Sequence, residues 1–190
     1  MPDAPIDRRT HAARQLLHDL GAETLVHPGG TLLAHLDRVR RRLALWNARP
    51  TLRLAGLCHA LYGTDGFATA LLPLDRRTEA TGIIGPEAES LVYFYASCDR
   101  RATYSTLTDE APHFRDRFTD RTFVPTRRRW EDFAELTAAN ELDIARIDSD
   151  FRARRGADLL KLCTRLRPFL TPVAWQDCET VLTPAPSPGE

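Results

Sequence analysis

The chain has 190 residues, with 26 basic and 26 acidic side chains, so its formal net charge is zero. This length is typical of a single domain, and 43% hydrophobic residues suffice for a folded core. The balanced charge argues against non-specific nucleic-acid binding, which needs a basic surface. No apolar run approaches the roughly 18–20 residues of a membrane span. We predict one cytoplasmic domain over 1–183, with a disordered Pro-rich tail at 184–190 and no secretory signal.

Helical periodicity dominates the chain from its first residues onwards. Apolar residues recur every three or four positions, and glycine and proline mark many of the breaks. These signals predict seven helices, at about 5–20, 31–47, 50–62, 86–99, 128–148, 156–167 and 173–182. A loop is expected at 73–84, and the alternation in RTFVPT favours a small β-hairpin around 115–126. The predicted fold class is therefore all-α, a bundle of six to seven helices.

Four polar residues interrupt the apolar faces of four different predicted helices. They are His35, His59, Asp99 and Asn140. Because buried polar groups need hydrogen-bond partners, each can be explained as a satisfied structural residue. Their coincidence favours another interpretation, in which they converge on one central point. Helical bundles build their ligand and metal sites from facing helices in this way.

The segments around the two histidines resemble the HD-domain family. TLLAHLDRV and LAGLCHALYG place His35 and His59 24 residues apart, and IGPEAESLVYFY is similar to the stringent-response hydrolase branch. AGLCHALYGTDGF is similar to uncharacterised HD-like proteins that carry a His-Ser or His-Ala pair before Tyr-Gly-Thr. The resemblance spans about residues 25–148. It implies an HD-like helical domain in which His35 and His59 are the two histidine ligands of a metal.

The sequence departs from the family at two metal positions. The Asp of the family's His-Asp pair is Ala60 here, and the family's last Asp aligns with Asn140. A neutral amide is a poor ligand for a hard dication. A rearranged site would instead use His35, His59 and Asp99 to hold iron, manganese or zinc. A metal-free site would use His59 as a general acid or base, so both interpretations stay open.

Residues close to these helices supply further candidates. Tyr62 shares a helix face with His59, and Arg100 suits an anionic substrate group. The candidate catalytic residues are His59, Tyr62, Asp65 and Asn140. The candidate substrate-binding residues are His27, Tyr95 and Arg100.

The leading functional hypothesis is a metal-dependent enzyme that hydrolyses a phosphorylated or otherwise anionic metabolite. A metal-free histidine acid–base enzyme is one alternative, and a degenerate HD-like module that only binds a ligand is another. An iron-dependent oxygenase, as found among some HD-like proteins, needs more His and Asp ligands than this chain offers. The expected partner is a small-molecule substrate rather than nucleic acid or a membrane, and a homodimer stays open.

Overall fold

The computed structural model describes residues 6–183, so the predicted tail at 184–190 lies outside the described residues. This part of the chain holds nine α-helices: α1 (Ile6–Asp19), α2 (Leu32–Leu45), α3 (Pro50–Cys58), α4 (Arg77–Ile84), α5 (Pro86–Ala96), α6 (Arg100–Ser105), α7 (Arg127–Ile147), α8 (Ser149–Leu166) and α9 (Pro172–Leu182). Short 3₁₀ helices lie at Leu74–Arg76 and Arg167–Phe169. Two antiparallel hairpins complete it, β1 (Val26–His27) with β2 (Gly30–Thr31) and β3 (Phe114–Asp116) with β4 (Arg121–Phe123). The predicted all-α class with a small hairpin is confirmed.

The structure corrects several predicted element bounds. Helix α4 lies within the expected loop at 73–84. The sequence did not predict this helix because it buries only Ala80 and Ile84 and so shows little apolar periodicity. Helix α8 begins at Ser149 rather than near 156. The sequence did not predict its first turns because they are mostly exposed and carry little apolar periodicity. Helix α3 ends at Cys58, and the chain then makes tight turns through residues 59–62. His59 therefore caps a helix end instead of lying in mid-helix.

Helix α3 is the centre of the core and packs against α1, α2, α5 and α7. Six of its nine residues are buried, as its apolar sequence predicts. Gly56 allows α2 to approach closely, because a Cβ at this position would lie 2.5 Å from Leu43 Cδ1. Among the described residues, no helix is long and apolar enough to cross a membrane.

Candidate functional site

A polar pocket of about 260 Å³ lies where the β1–β2 hairpin, the turn after α3, the start of α6 and helix α7 meet. Five of the predicted site residues line it: His27, His35, His59, Arg100 and Asn140. Surface grooves of about 470 and 670 Å³ are larger, but no described histidine lines either of them. Of these three sites, the smaller pocket is therefore the one that brings histidines together.

His35 on α2 is fixed by a buried carboxylate. Its Nδ1 donates to Asp143 Oδ2 at 2.7 Å, and its Nε2 lies 3.1 Å from Asn140 Oδ1. Arg38 donates to the same carboxylate through Nε at 2.8 Å and Nη2 at 2.9 Å. Burial alone would raise the pKa of Asp143, but the hydrogen bonds from His35 and Arg38 outweigh it and lower that pKa. Asp143 is thus an ionised group that orients the His35 ring.

His59 is held by the backbone of its own helix. Its Nδ1 donates to the Gly56 carbonyl oxygen at 2.8 Å, so Nε2 is the nitrogen without a proton. Burial lowers the pKa of His59 to about 3, and repulsion from His35 adds to the effect. The ring centroid lies 5.3 Å from that of His35 and 5.4 Å from that of Tyr95. His59 is therefore a neutral hydrogen-bond acceptor at neutral pH.

His27 closes the cluster from the hairpin side. Its ring stacks on His35 with 4.1 Å between centroids and meets Phe67 edge-on at 5.8 Å. Partial burial, followed by repulsion from His35, lowers the pKa of His27 to about 4. Like His59, His27 is therefore neutral at neutral pH, and its ring covers one face of His35.

Arg100 is the charged group of the pocket. Its Nη1 donates to Glu141 Oε1 at 3.1 Å, and its Nη2 donates to the Tyr95 hydroxyl at 3.4 Å. Burial alone would lower the pKa of Arg100, but Tyr95, Tyr104 and Glu141 more than offset it and raise that pKa. The guanidinium keeps its charge although most of it is shielded from water.

Three other predicted site residues have structural roles elsewhere. Helix α5 ends at Ala96, so Asp99 does not lie on its inner face; it caps α6 and accepts from the Ala102 N–H at 2.9 Å. Tyr62 donates to Glu89 at 3.0 Å. Asp65 is exposed and accepts from the backbone N–H of the first residue of α6 at 2.8 Å. The structure does not bring these three side chains together with the histidines.

The donor atoms of the pocket do not fit a resident metal ion. Nδ1 of both His35 and His59 is held by an acceptor, as is common for metal-binding histidines. A protein site, however, needs about three or four donors converging on one point. The stacked rings of His27 and His35 lie in nearly parallel planes, and Glu141 is paired with Arg100. Within residues 6–183, no group of three or more His, Cys, Asp or Glu side chains could hold a metal ion.

Sequence reasoning missed the two carboxylates of the site. Asp143 follows Asn140 by three residues on α7, so both lie on one helix face. This spacing was a signal that could have found Asp143. Glu141 gave no such signal, because its side chain reaches the pocket through its ion pair with Arg100 rather than through the apolar periodicity of α7.

A protein-family model described as a domain of unknown function (DUF6817) matches residues 16–100, somewhat less than half of the chain. The matched segment contains His27, His35, His59 and Arg100 but ends before α7, which carries Asn140. No curated protein and no solved structure matches the chain.

Proposed function

We propose that this chain is a small-molecule enzyme with an HD-like helical pocket, which hydrolyses an anionic metabolite by histidine acid–base chemistry without a resident metal. One observation carries the proposal. His35 and His59 line the same pocket, and each ring is fixed through Nδ1, by Asp143 in one case and by the Gly56 carbonyl in the other.

Acid–base catalysis needs a ring of fixed tautomer whose second nitrogen faces the substrate. His59 meets this need as a proton acceptor, since its Nε2 is unprotonated and the residue lines the pocket. An anionic substrate beside His59 would raise the low pKa of this ring and make it a stronger base. The buried pair of His35 and Asp143 supplies the second acid–base group.

The proposed step is the attack of water on an electrophilic carbon of the substrate. His59 accepts the proton of this water as the new carbon–oxygen bond forms. The bond to the leaving group then breaks, and His35 Nε2 gives a proton to the leaving group while Asp143 stabilises the ring. The proton held by His59 then passes to His35, so both rings regain their starting state. Arg100 holds the anionic group of the substrate, and Asn140 contacts the reacting region through its amide.

The resemblance to HD-domain proteins supports this assignment. It aligns His35, His59 and Asn140 with metal positions of that family, and these three residues line one pocket here. The neutral residues Ala60 and Asn140 at the family's carboxylate positions are the reason why the proposal includes no metal.

The variant His59→Asn tests the proposal, because the Asn amide can still donate to the Gly56 carbonyl while Nε2 is lost. Wild type and variant are incubated with a panel of small esters, amides and phosphate esters of acidic metabolites, and substrate loss is followed by mass spectrometry. We expect turnover by the wild type and none by His59→Asn, with both chains folded by circular dichroism. His113→Asn, in an exposed loop, is the matched control and should keep full turnover.

Chelation separates this proposal from its alternatives. Turnover that survives dialysis against a chelator supports the metal-free reaction. Turnover that is lost on chelation and restored by zinc, manganese or iron would replace it with the metal-dependent hydrolase. Equal turnover by wild type and His59→Asn, or binding without any turnover, would contradict an enzymatic role of His59.

A further inference from the structure

The turn after α3 holds Arg100 at two points. Asp65 accepts the backbone N–H of Arg100 at 2.8 Å, and Gly66 packs against its guanidinium. A Cβ built on Gly66 would lie 3.0 Å from Nη1 and 3.4 Å from Cζ of Arg100. A methyl group at this position would displace the guanidinium by a few tenths of an ångström, so glycine permits the position that Arg100 takes beside the pocket.

The surroundings of Arg100 have more hydrogen-bond donors than acceptors. Among the described residues, its guanidinium donates only to Glu141 and Tyr95, which leaves N–H groups unused on a side chain that lines the pocket. A ligand oxygen that accepts hydrogen bonds would correct this imbalance.

The charge of the pocket favours a ligand with one negative charge over a ligand with two. Arg100 is the one arginine or lysine among the described lining residues, and Glu141 already pairs with it. His27 and His59 are neutral at neutral pH, because burial lowers the pKa of each ring. A phosphate dianion would bring a second charge into a half-buried site whose described lining has no second arginine or lysine to meet it.

We propose that the pocket selects small monocarboxylates, that Arg100 binds the carboxylate, and that Gly66 is a specificity-determining residue because it positions the guanidinium. The inference rests on the proposed function and names the class of its substrate. The pocket volume of about 260 Å³ restricts the ligand to a small metabolite. A carboxylate matches the planar donor fork of arginine and can accept two parallel hydrogen bonds.

The test is an NMR titration of the ligand-free protein at neutral pH and constant ionic strength. The probes are acetate, its uncharged isostere acetamide, and inorganic phosphate, and the signals are the backbone amides and the arginine Nε–H groups. We expect acetate to shift the Arg100 Nε–H and the Gly66 amide saturably, with a millimolar dissociation constant because the probe is so small. Acetamide and phosphate should bind about tenfold more weakly or worse.

Two glycine variants provide a matched pair. Gly66→Ala should weaken acetate binding several-fold without unfolding the protein, because the guanidinium can shift away from the new methyl group. Gly82→Ala should bind acetate as the wild type does, since a Cβ there meets nothing within 4 Å. Arg100→Gln should abolish the saturable shifts while the amide spectrum stays folded.

Phosphate or acetamide binding as tight as acetate binding would overturn the proposed ligand class. Acetate binding that is unchanged in Gly66→Ala would overturn the role of Gly66. The titration does not measure turnover, so the two proposals can fail separately. Acetate binding by a protein that turns over none of the panel would contradict the proposed enzymatic function. Turnover of phosphate esters without acetate binding would contradict the proposed carboxylate ligand.

Discussion

Burial of a neutral His59 makes the free energy of unfolding depend on pH. The pKa of His59 is about 3 in the folded protein, compared with the ordinary value of 6.5 that the unfolded chain regains. The unfolded state therefore binds a proton near pH 6.5 that the folded state excludes, and acid favours unfolding. Between about pH 8 and about pH 5, His59 alone should lower the free energy of unfolding by about 2 kcal/mol.

Urea unfolding followed by tryptophan fluorescence measures this effect in wild type and in His59→Asn. The variant keeps a donor for the Gly56 carbonyl but has no titrating group at this position. We expect the wild type to lose about 2 kcal/mol more than the variant over that pH range. The exposed control His113→Asn should follow the wild type. If His59→Asn retains the wild-type pH dependence, His59 is not held neutral and the reasoning fails.

Three further changes test the roles assigned to single residues. Asp99→Ala should lower the free energy of unfolding in urea by about 1 kcal/mol, because the helix cap is lost, and should leave turnover unchanged. A loss of turnover would mean that Asp99 takes part in the reaction. Asp143→Asn should lower the free energy of unfolding by about 3 kcal/mol, because it removes the carboxylate charge that pairs with the partly buried Arg38. Unchanged stability would contradict the ion pair. Ala60→Asp combined with Asn140→Asp should gain about one equivalent of zinc or manganese in native mass spectrometry; no gain would argue against the HD-like alignment.

The predictable part of the fold is the part with apolar periodicity. Helices α2 and α7 carry strong apolar stripes, and their predicted bounds differ from the structure by only one or two residues. The sequence pattern did not predict α4 or the start of α8. Helix α4 buries only Ala80 and Ile84, and the first turns of α8 are mostly exposed, so neither shows an apolar stripe. An amphipathic pattern arises when one face of a helix is buried, so a helix that buries few residues shows only a weak pattern.

The candidate site was predictable to the same extent and for the same reason. His35, His59 and Asn140 interrupt apolar stripes, and the helices that carry the stripes bring these residues to one pocket. Asp99 misled the prediction because α5 ends at Ala96 without a glycine or proline to mark the stop. The ion pair of Arg100 with Glu141 joins α6 to α7 across 41 residues of sequence, and no local pattern encodes such a contact.

The two departures from the HD pattern and the buried arginine support the same conclusion. Hard dications prefer carboxylate ligands, and this chain has Ala60 and Asn140 where the family it resembles has carboxylates. A guanidinium facing the same space would repel a dication, yet Arg100 lines this pocket and keeps its charge. Each change alone would weaken a metal site, but together they leave one arginine as the charged donor in a pocket lined by histidines. In the proposed enzyme, Arg100 thus supplies the positive charge toward an anionic substrate that a metal ion would otherwise supply.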